Sequence, residues 1–75
     1  MKTNYVTILD FTTGWVNIIH LTPEEIHESE KYEDFEIFLS TLEEKYEFKL
    51  SNCQWMVSEE LHIARYENGI EIENG

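Results

Sequence analysis

The chain has 75 residues, room for one domain, and a domain of that size buries only about 60% of the surface its unfolded chain exposes. Five Lys and Arg against sixteen Asp and Glu leave a net charge of −11, which excludes anionic membranes and direct binding to nucleic-acid phosphates, because both need cations on the protein. The single cysteine, Cys53, excludes an internal disulfide and fits a reducing compartment, so the expected setting is the cytoplasm and the expected staple of a thin core is a second copy of the chain.

The first element is a hairpin. "NYVTILDF" is rich in β-branched and aromatic residues, "TTG" follows, and "WVNIIHL" resumes the same composition. Gly14 supplies the positive φ that such a loop needs, and Asp10 is placed to accept hydrogen bonds from the Thr12 or Thr13 amide, a turn-holding role rather than a catalytic one. The start carries no long apolar segment of the kind that directs secretion, and no apolar run approaches the roughly 20 residues that span a bilayer.

A helix start comes next. Thr22 is the N-cap, Pro23 sits at N1, Glu25 closes a capping box, and Leu21 with Ile26 occupies the two positions of a hydrophobic staple. Ser29, Glu30 and Glu33 fall where an apolar stripe would continue, so this first helical stretch is predicted to end or bend near residues 29–31. A main helix follows. Tyr32, Phe35, Phe38, Leu39, Leu42 and Tyr46 recur at intervals of three and four, within a sector of about 120° that faces the core.

After "KLSN" the period returns to two. Cys53, Trp55 and Val57 alternate with Gln54, Met56 and Ser58, then Leu61 and Ile63 alternate with His62 and Ala64, giving third and fourth strands. Asn68-Gly69 is the favoured type I′ pair and sets Glu67 opposite Ile70 and Arg65 opposite Ile72, which adds a short fifth strand. The expected fold is α+β, order β-β-α-β-β-(β), with a helical segment on one face of an antiparallel sheet and residues 1–75 in one domain.

The chemistry-bearing residues are sparse. His20, His27, His62 and Cys53 are the strong metal-ligand types, and no two stand at a spacing that puts both on one ion, so neither a metal nor another cofactor is expected. His20 is read as ending the second strand, His27 as lying on the exposed side of the first helical turn, and His62 as sitting on a strand face. Cys53 reads as a small buried hydrophobe, without a neighbouring cation or helix N-terminus to activate it. There is no Gly-rich phosphate loop and no nucleophile elbow, and an enzyme is not expected. Trp15, Trp55, Tyr5, Phe11, Phe35, Phe38 and Tyr46 are expected to make most of the core.

Two stretches, "TILDFTTGWVNIIHL" at 7–21 and "SNCQWMVSEELHIARY" at 51–66, carry a resemblance. They resemble a group of small acidic bacterial proteins, often associated with mobile elements, that open with an ILDF-x-TG-x-V-x-I hairpin and end with NCQWMV before an alternating strand. Trp15 stands where that pattern has an acidic residue. The resemblance implies a compact α+β fold, possible as a dimer, and brings no activity and no site residue with it.

The charge is concentrated. Residues 1–21 are neutral, residues 22–48 carry ten acids against two lysines, and residues 49–75 carry five acids against two bases. In the helical register, Glu33, Glu36, Glu43, Glu44 and Glu47 fall on the side or outer face. The row has a gap of about 10 Å along the axis between Glu36 and Glu43, filled by Ile37, Ser40 and Thr41. Ile37 projects about 200° from the core direction. A partner-binding patch of Ile37, Glu33, Glu36, Thr41 and Glu44 follows, an apolar anchor ringed by steering charges. Two functions are consistent with it. One is a non-catalytic protein–protein interaction module acting as a homodimer. The other is a nucleic-acid mimic that inhibits a basic DNA- or RNA-binding protein. In either case the favoured partner is a protein, and charge favours a basic one.

Overall fold

A computed structural model describes residues 3–72 of the chain. It opens with β1 (Tyr5–Asp10) and β2 (Trp15–His20), an antiparallel hairpin in which Val6 faces Ile19 and Asp10 faces Trp15. The turn is built as its residues predict. One Asp10 carboxylate oxygen accepts from the Thr12 amide at 2.9 Å, the Thr12 hydroxyl at 2.6 Å and the Thr13 amide at 3.2 Å. The Thr12 hydroxyl bond leads in holding the Asp10 carboxyl below its ordinary value. Gly14 takes φ +77° and donates its N–H to the Asp10 carbonyl. Strand β3 (Cys53–Ser58) pairs antiparallel on the far side of β1, with Val57 opposite Val6 and Trp55 opposite Ile8, so β1 is the centre of a β2-β1-β3 sheet.

The helical layer covers one face of that sheet. Helix α1 (Pro23–Ser29) starts at the capping box: the Thr22 hydroxyl accepts from the Glu25 amide at 3.1 Å, and the Glu25 carboxylate accepts from the Thr22 amide at 2.9 Å. Ile26 and buried Leu21 both belong to the core packing. The expected main helix is two helices, α2 (Phe35–Ser40) and α3 (Glu43–Tyr46). Ser40 and Thr41 break it. Their hydroxyls bond back to the carbonyls of Ile37 and Phe38, each at 2.6 Å, and the amides of Thr41 and Leu42 reach carbonyls three residues back rather than four. Tyr32 and Glu33 lie before the α2 N-cap, Asp34, which is extended and accepts from the Glu36 amide. Helix α3 ends at Glu47, a left-handed residue at φ 55°. The Phe48 amide then returns to the Glu43 carbonyl and the Phe48 ring enters the core.

The core joins the two layers. Val6, Ile8 and Ile19 of the sheet meet Leu21, Phe38, Leu39, Leu42 and Phe48, with Phe35 and Trp55 in ring contact at 5.8 Å along one side. Phe38 and Leu39 are fully buried, and truncating Phe38 to Ala would cost about 3–5 kcal/mol. The aromatic core is smaller than the sequence suggests. Phe11 and Trp15 are exposed at the hairpin end, and Tyr5 lies on the opposite face of the sheet, stacked on His20 with centroids 4.4 Å apart.

The fold class is α+β, and the element order is β-β-α-α-α-β-β-β with a short 3-10 turn, Leu50–Asn52, before β3. Residues 61–64 alternate apolar and polar but form no strand, since alternation by itself does not build a ladder. His62 therefore lies in an exposed connection. The fourth and fifth strands, β4 (Arg65–Glu67) and β5 (Ile70–Ile72), pair only with each other, as a second sheet rather than an extension of the first. Their register sets Glu67 opposite Ile70 and Arg65 opposite Ile72 across an Asn68-Gly69 turn with positive φ at both residues.

Candidate interaction surfaces

Ile37 is 53% exposed on α2, with Glu33, Glu36, Thr41 and Glu44 also exposed. They do not form one helical stripe. Glu33 precedes the N-cap and lies outside the helix, so its four-residue spacing from Ile37 is not a helical turn, and Glu44 belongs to α3. Ile37 and Thr41 share the last turn of α2, where the Thr41 hydroxyl is engaged by the Phe38 carbonyl. Breaking one helix into three also changes what the acids do. Glu24 and Glu25, Asp34 and Glu36, and Glu43 and Glu44 occupy the N-terminal ends of α1, α2 and α3, where the helix dipole favours negative charge. Six of the ten acids between residues 22 and 48 thus have a local structural reason to be there.

Two of these acids tie the helices together. Glu25 is 7% exposed, and its second carboxylate oxygen accepts from the Tyr46 hydroxyl at 2.7 Å and from Lys45 Nζ at 2.9 Å, joining α1 to α3. Burial pushes this carboxyl up, but the bonds from Thr22, Tyr46 and Lys45 outweigh it and leave the group below its ordinary value. The hydrogen bond that each donates to Glu25 leads in raising Lys45 and Tyr46. Glu43 accepts from the Leu50 amide at 2.6 Å and anchors the segment that leads into β3.

The surface that sequence reasoning missed is the outer face of the β2-β1-β3 sheet. Period two and the strand register put Tyr5, Thr7 and Leu9 on it from β1, Val16, Ile18 and His20 from β2, and Gln54, Met56 and Ser58 from β3. Its apolar side chains stay open to solvent, with Leu9, Val16, Ile18 and Met56 between 41% and 56% exposed, while residues 59–62 line a hollow with Tyr5 and His20 at one end of the face. None of its nine positions is Asp, Glu, Lys or Arg, although the chain has sixteen acids. At its centre Thr7 lies between Ile18 and Met56, and its hydroxyl is buried without a hydrogen-bond partner, as is that of Ser58. The signal was present in "NYVTILDF" and "WVNIIHL", which are apolar at both parities. Alternation in register with only one buried face would have left one parity polar.

The reactive side chains are dispersed. A shallow groove of about 660 Å³ between the end of β2 and α1 is lined by His20, Leu21, Pro23, Ile26, His27 and Glu30 among others. Of its titratable groups, His20 is stacked on Tyr5, and His27 pairs with Glu30 at 3.7 Å with both side chains largely in solvent. Cys53 is half-buried beside the core and donates to the Lys49 carbonyl, while burial, and then the Asp10 charge, push its thiol up. Among the described residues no three His, Cys, Asp or Glu side chains gather as a metal site requires, and no helix is long and apolar enough to cross a membrane.

No protein family, curated protein or solved structure matches the chain.

Proposed function

We propose that the chain is a non-catalytic protein–protein interaction module that acts as a homodimer through the outer face of its three-stranded sheet. One observation carries this reading: a chain of net charge −11 keeps all nine positions of that face free of Asp, Glu, Lys and Arg, and leaves its apolar side chains half exposed. Two copies so negative repel one another over most of their surfaces and can close only where fixed charge is absent. Burying this face also adds to the apolar burial that a domain of this size is short of.

Ile37, exposed on α2 and outside the sheet's outer face, stays available to a different protein when two sheets meet. A basic target suits the acids beside it. The free thiol of Cys53 supports a cytoplasmic setting, and the motifs at 7–21 and 51–66 support a place among small acidic bacterial proteins of mobile elements.

Salt separates this reading from charge mimicry. Sedimentation equilibrium should return twice 9.0 kDa at tens of micromolar, with association tightening from 50 to 500 mM NaCl as repulsion is screened. Met56→Glu should give a monomer with an unchanged circular dichroism spectrum. A 9.0 kDa mass across that range overturns the homodimer. Recovery from a host lysate of a basic nucleic-acid-binding protein that salt releases favours the mimic instead.

A further inference from the structure

The inner face of the sheet runs out of core at the hairpin end. Asp10, Trp15 and Asn17 lie on the same side as Val6, Ile8 and Ile19, since Asp10 faces Trp15 and Ile8 faces Asn17 across β1 and β2. Tyr46 and Glu47, at the end of α3, complete with them and Thr13 the lining of a hollow of about 390 Å³. Trp15 is 65% exposed there, yet its ring is held, because the indole N–H donates to Asn17 Oδ1 at 3.2 Å. Asn17 thereby keeps its Nδ2 buried with no partner among the described residues, and an unpaired buried donor destabilises a fold. An apolar residue would suit the core side of β2 better. What the asparagine secures is the pose of an open indole face.

Two carboxylates share the hollow without a counter-ion. Neither Asp10 nor Glu47 is in an ion pair among the described residues, whereas Lys31 and Lys45 are taken by Glu28 and Glu25. One Asp10 oxygen accepts the three bonds of the turn, and the other accepts none among the described residues. An indole face beside two unpaired carboxylates suits a cation. Arginine suits it better than lysine, because a planar guanidinium lies flat on the ring and keeps its N–H donors in plane for the carboxylates. A free amino acid would bring its own carboxylate, and no Lys or Arg among the described residues lines the hollow to receive that group. The arginine therefore comes on a chain, and a net charge of −11 draws basic chains in.

We propose that the hollow between the β1–β2 hairpin and the end of α3 takes an arginine side chain of a basic partner protein, stacked on Trp15 with Asp10 and Glu47 as its acceptors. The site lies on the opposite side of the sheet from the proposed dimer face and stands whether or not that dimer forms.

The test follows the Trp15 indole signal in 1H–15N NMR spectra of the full chain, titrated with acetyl-Gly-Arg-Gly-amide at fixed ionic strength. A saturable shift with about millimolar affinity is expected, and none with the same peptide carrying citrulline, which keeps the shape of arginine without the charge. Glu47→Gln should weaken binding at least about threefold with an unchanged circular dichroism spectrum, while Glu44→Gln, which removes an acid of α3 outside the hollow, should leave binding as it was. Trp15→Val, followed at the Gly14 amide, should weaken it by at least about threefold as well. Equal losses in the two glutamate variants would show a response to net charge alone and overturn the site, as would equal binding of the citrulline peptide or an indole signal that does not move at tens of millimolar. L-Arginine binding as tightly as the peptide would put a free ligand in place of the partner protein and overturn the assignment. None of these outcomes bears on the homodimer, which sedimentation reads separately.

Discussion

Replacing Glu25 by alanine should be the most damaging single change among the charged side chains of the helical layer. The substitution removes the carboxylate that accepts from the Thr22 amide, a charge-assisted bond of about 1.5–2 kcal/mol net, and it strips the half-buried Tyr46 hydroxyl of its acceptor, about 1 kcal/mol more. The Lys45 contact adds nothing to the sum, because that ammonium stands in solvent. The expected loss is about 2.5–3 kcal/mol, which for a chain this short lowers Tm by roughly 10–20 °C. Differential scanning calorimetry at pH 7 measures it, with Glu24→Ala as the control, an exposed neighbour in the same turn that should cost less than about 1 kcal/mol. The carboxyl of Glu25 sits below its ordinary 4.5 in the fold, so its stabilisation is complete above that value and is lost as pH falls through the lower folded value. The gap between wild type and Glu25→Ala should therefore narrow in acid. A loss under 0.5 kcal/mol at neutral pH, or a gap unchanged down to pH 3, would refute the tie between α1 and α3.

Glu47→Gly should raise stability by about 0.5–1 kcal/mol, because glycine adopts the left-handed conformation at φ 55° without the side-chain clash, less what glycine loses in unfolded-chain entropy; urea denaturation checks it. Thr7→Val removes a buried hydroxyl that has no partner and should stabilise the fold by about 1 kcal/mol in the same assay, while tightening the proposed dimer in sedimentation. Ile37→Glu should leave circular dichroism and Tm nearly unchanged and weaken capture of a target, whereas Leu42→Glu, at a buried position, should unfold the domain. A collapse of the spectrum in Ile37→Glu would put that residue in the core.

What could be read from the chain alone was local. The capping box at Thr22 and Glu25, the Asp10 turn and the Asn68-Gly69 turn each need only a few adjacent residues, and each forms as its chemistry dictates. The long helix failed because its apolar stripe survives a break: Phe38, Leu39 and Leu42 reach the core whether or not the backbone is continuous. The adjacent hydroxyls of Ser40 and Thr41, and Asp34 as a second N-cap, were the signals that mark the two ends of α2. The partner patch inherited that error, since Glu33 and Glu44 were aligned with Ile37 only by assuming one helix. The outer sheet face was hidden for a different reason. Assigning the aromatics to the core gives Leu9, Val16 and Ile18 no role, whereas their parity sets them together on the other side.

The order β2-β1-β3 leaves both outer strands with one row of backbone donors and acceptors unpaired in the sheet. Natural edges are commonly guarded by a lysine, a proline or a bulge, and neither "WVNIIH" nor "CQWMVS" contains a lysine, a proline or an acid. The charge of the chain as a whole remains as a guard, since copies at −11 repel one another. That guard is conditional. Near pH 4.4 the net charge vanishes, and with it the repulsion that holds copies apart. Association between copies should therefore be strongest near that pH, and the acidic residues scattered over the helices are expected to guard, from a distance, strands that they do not touch.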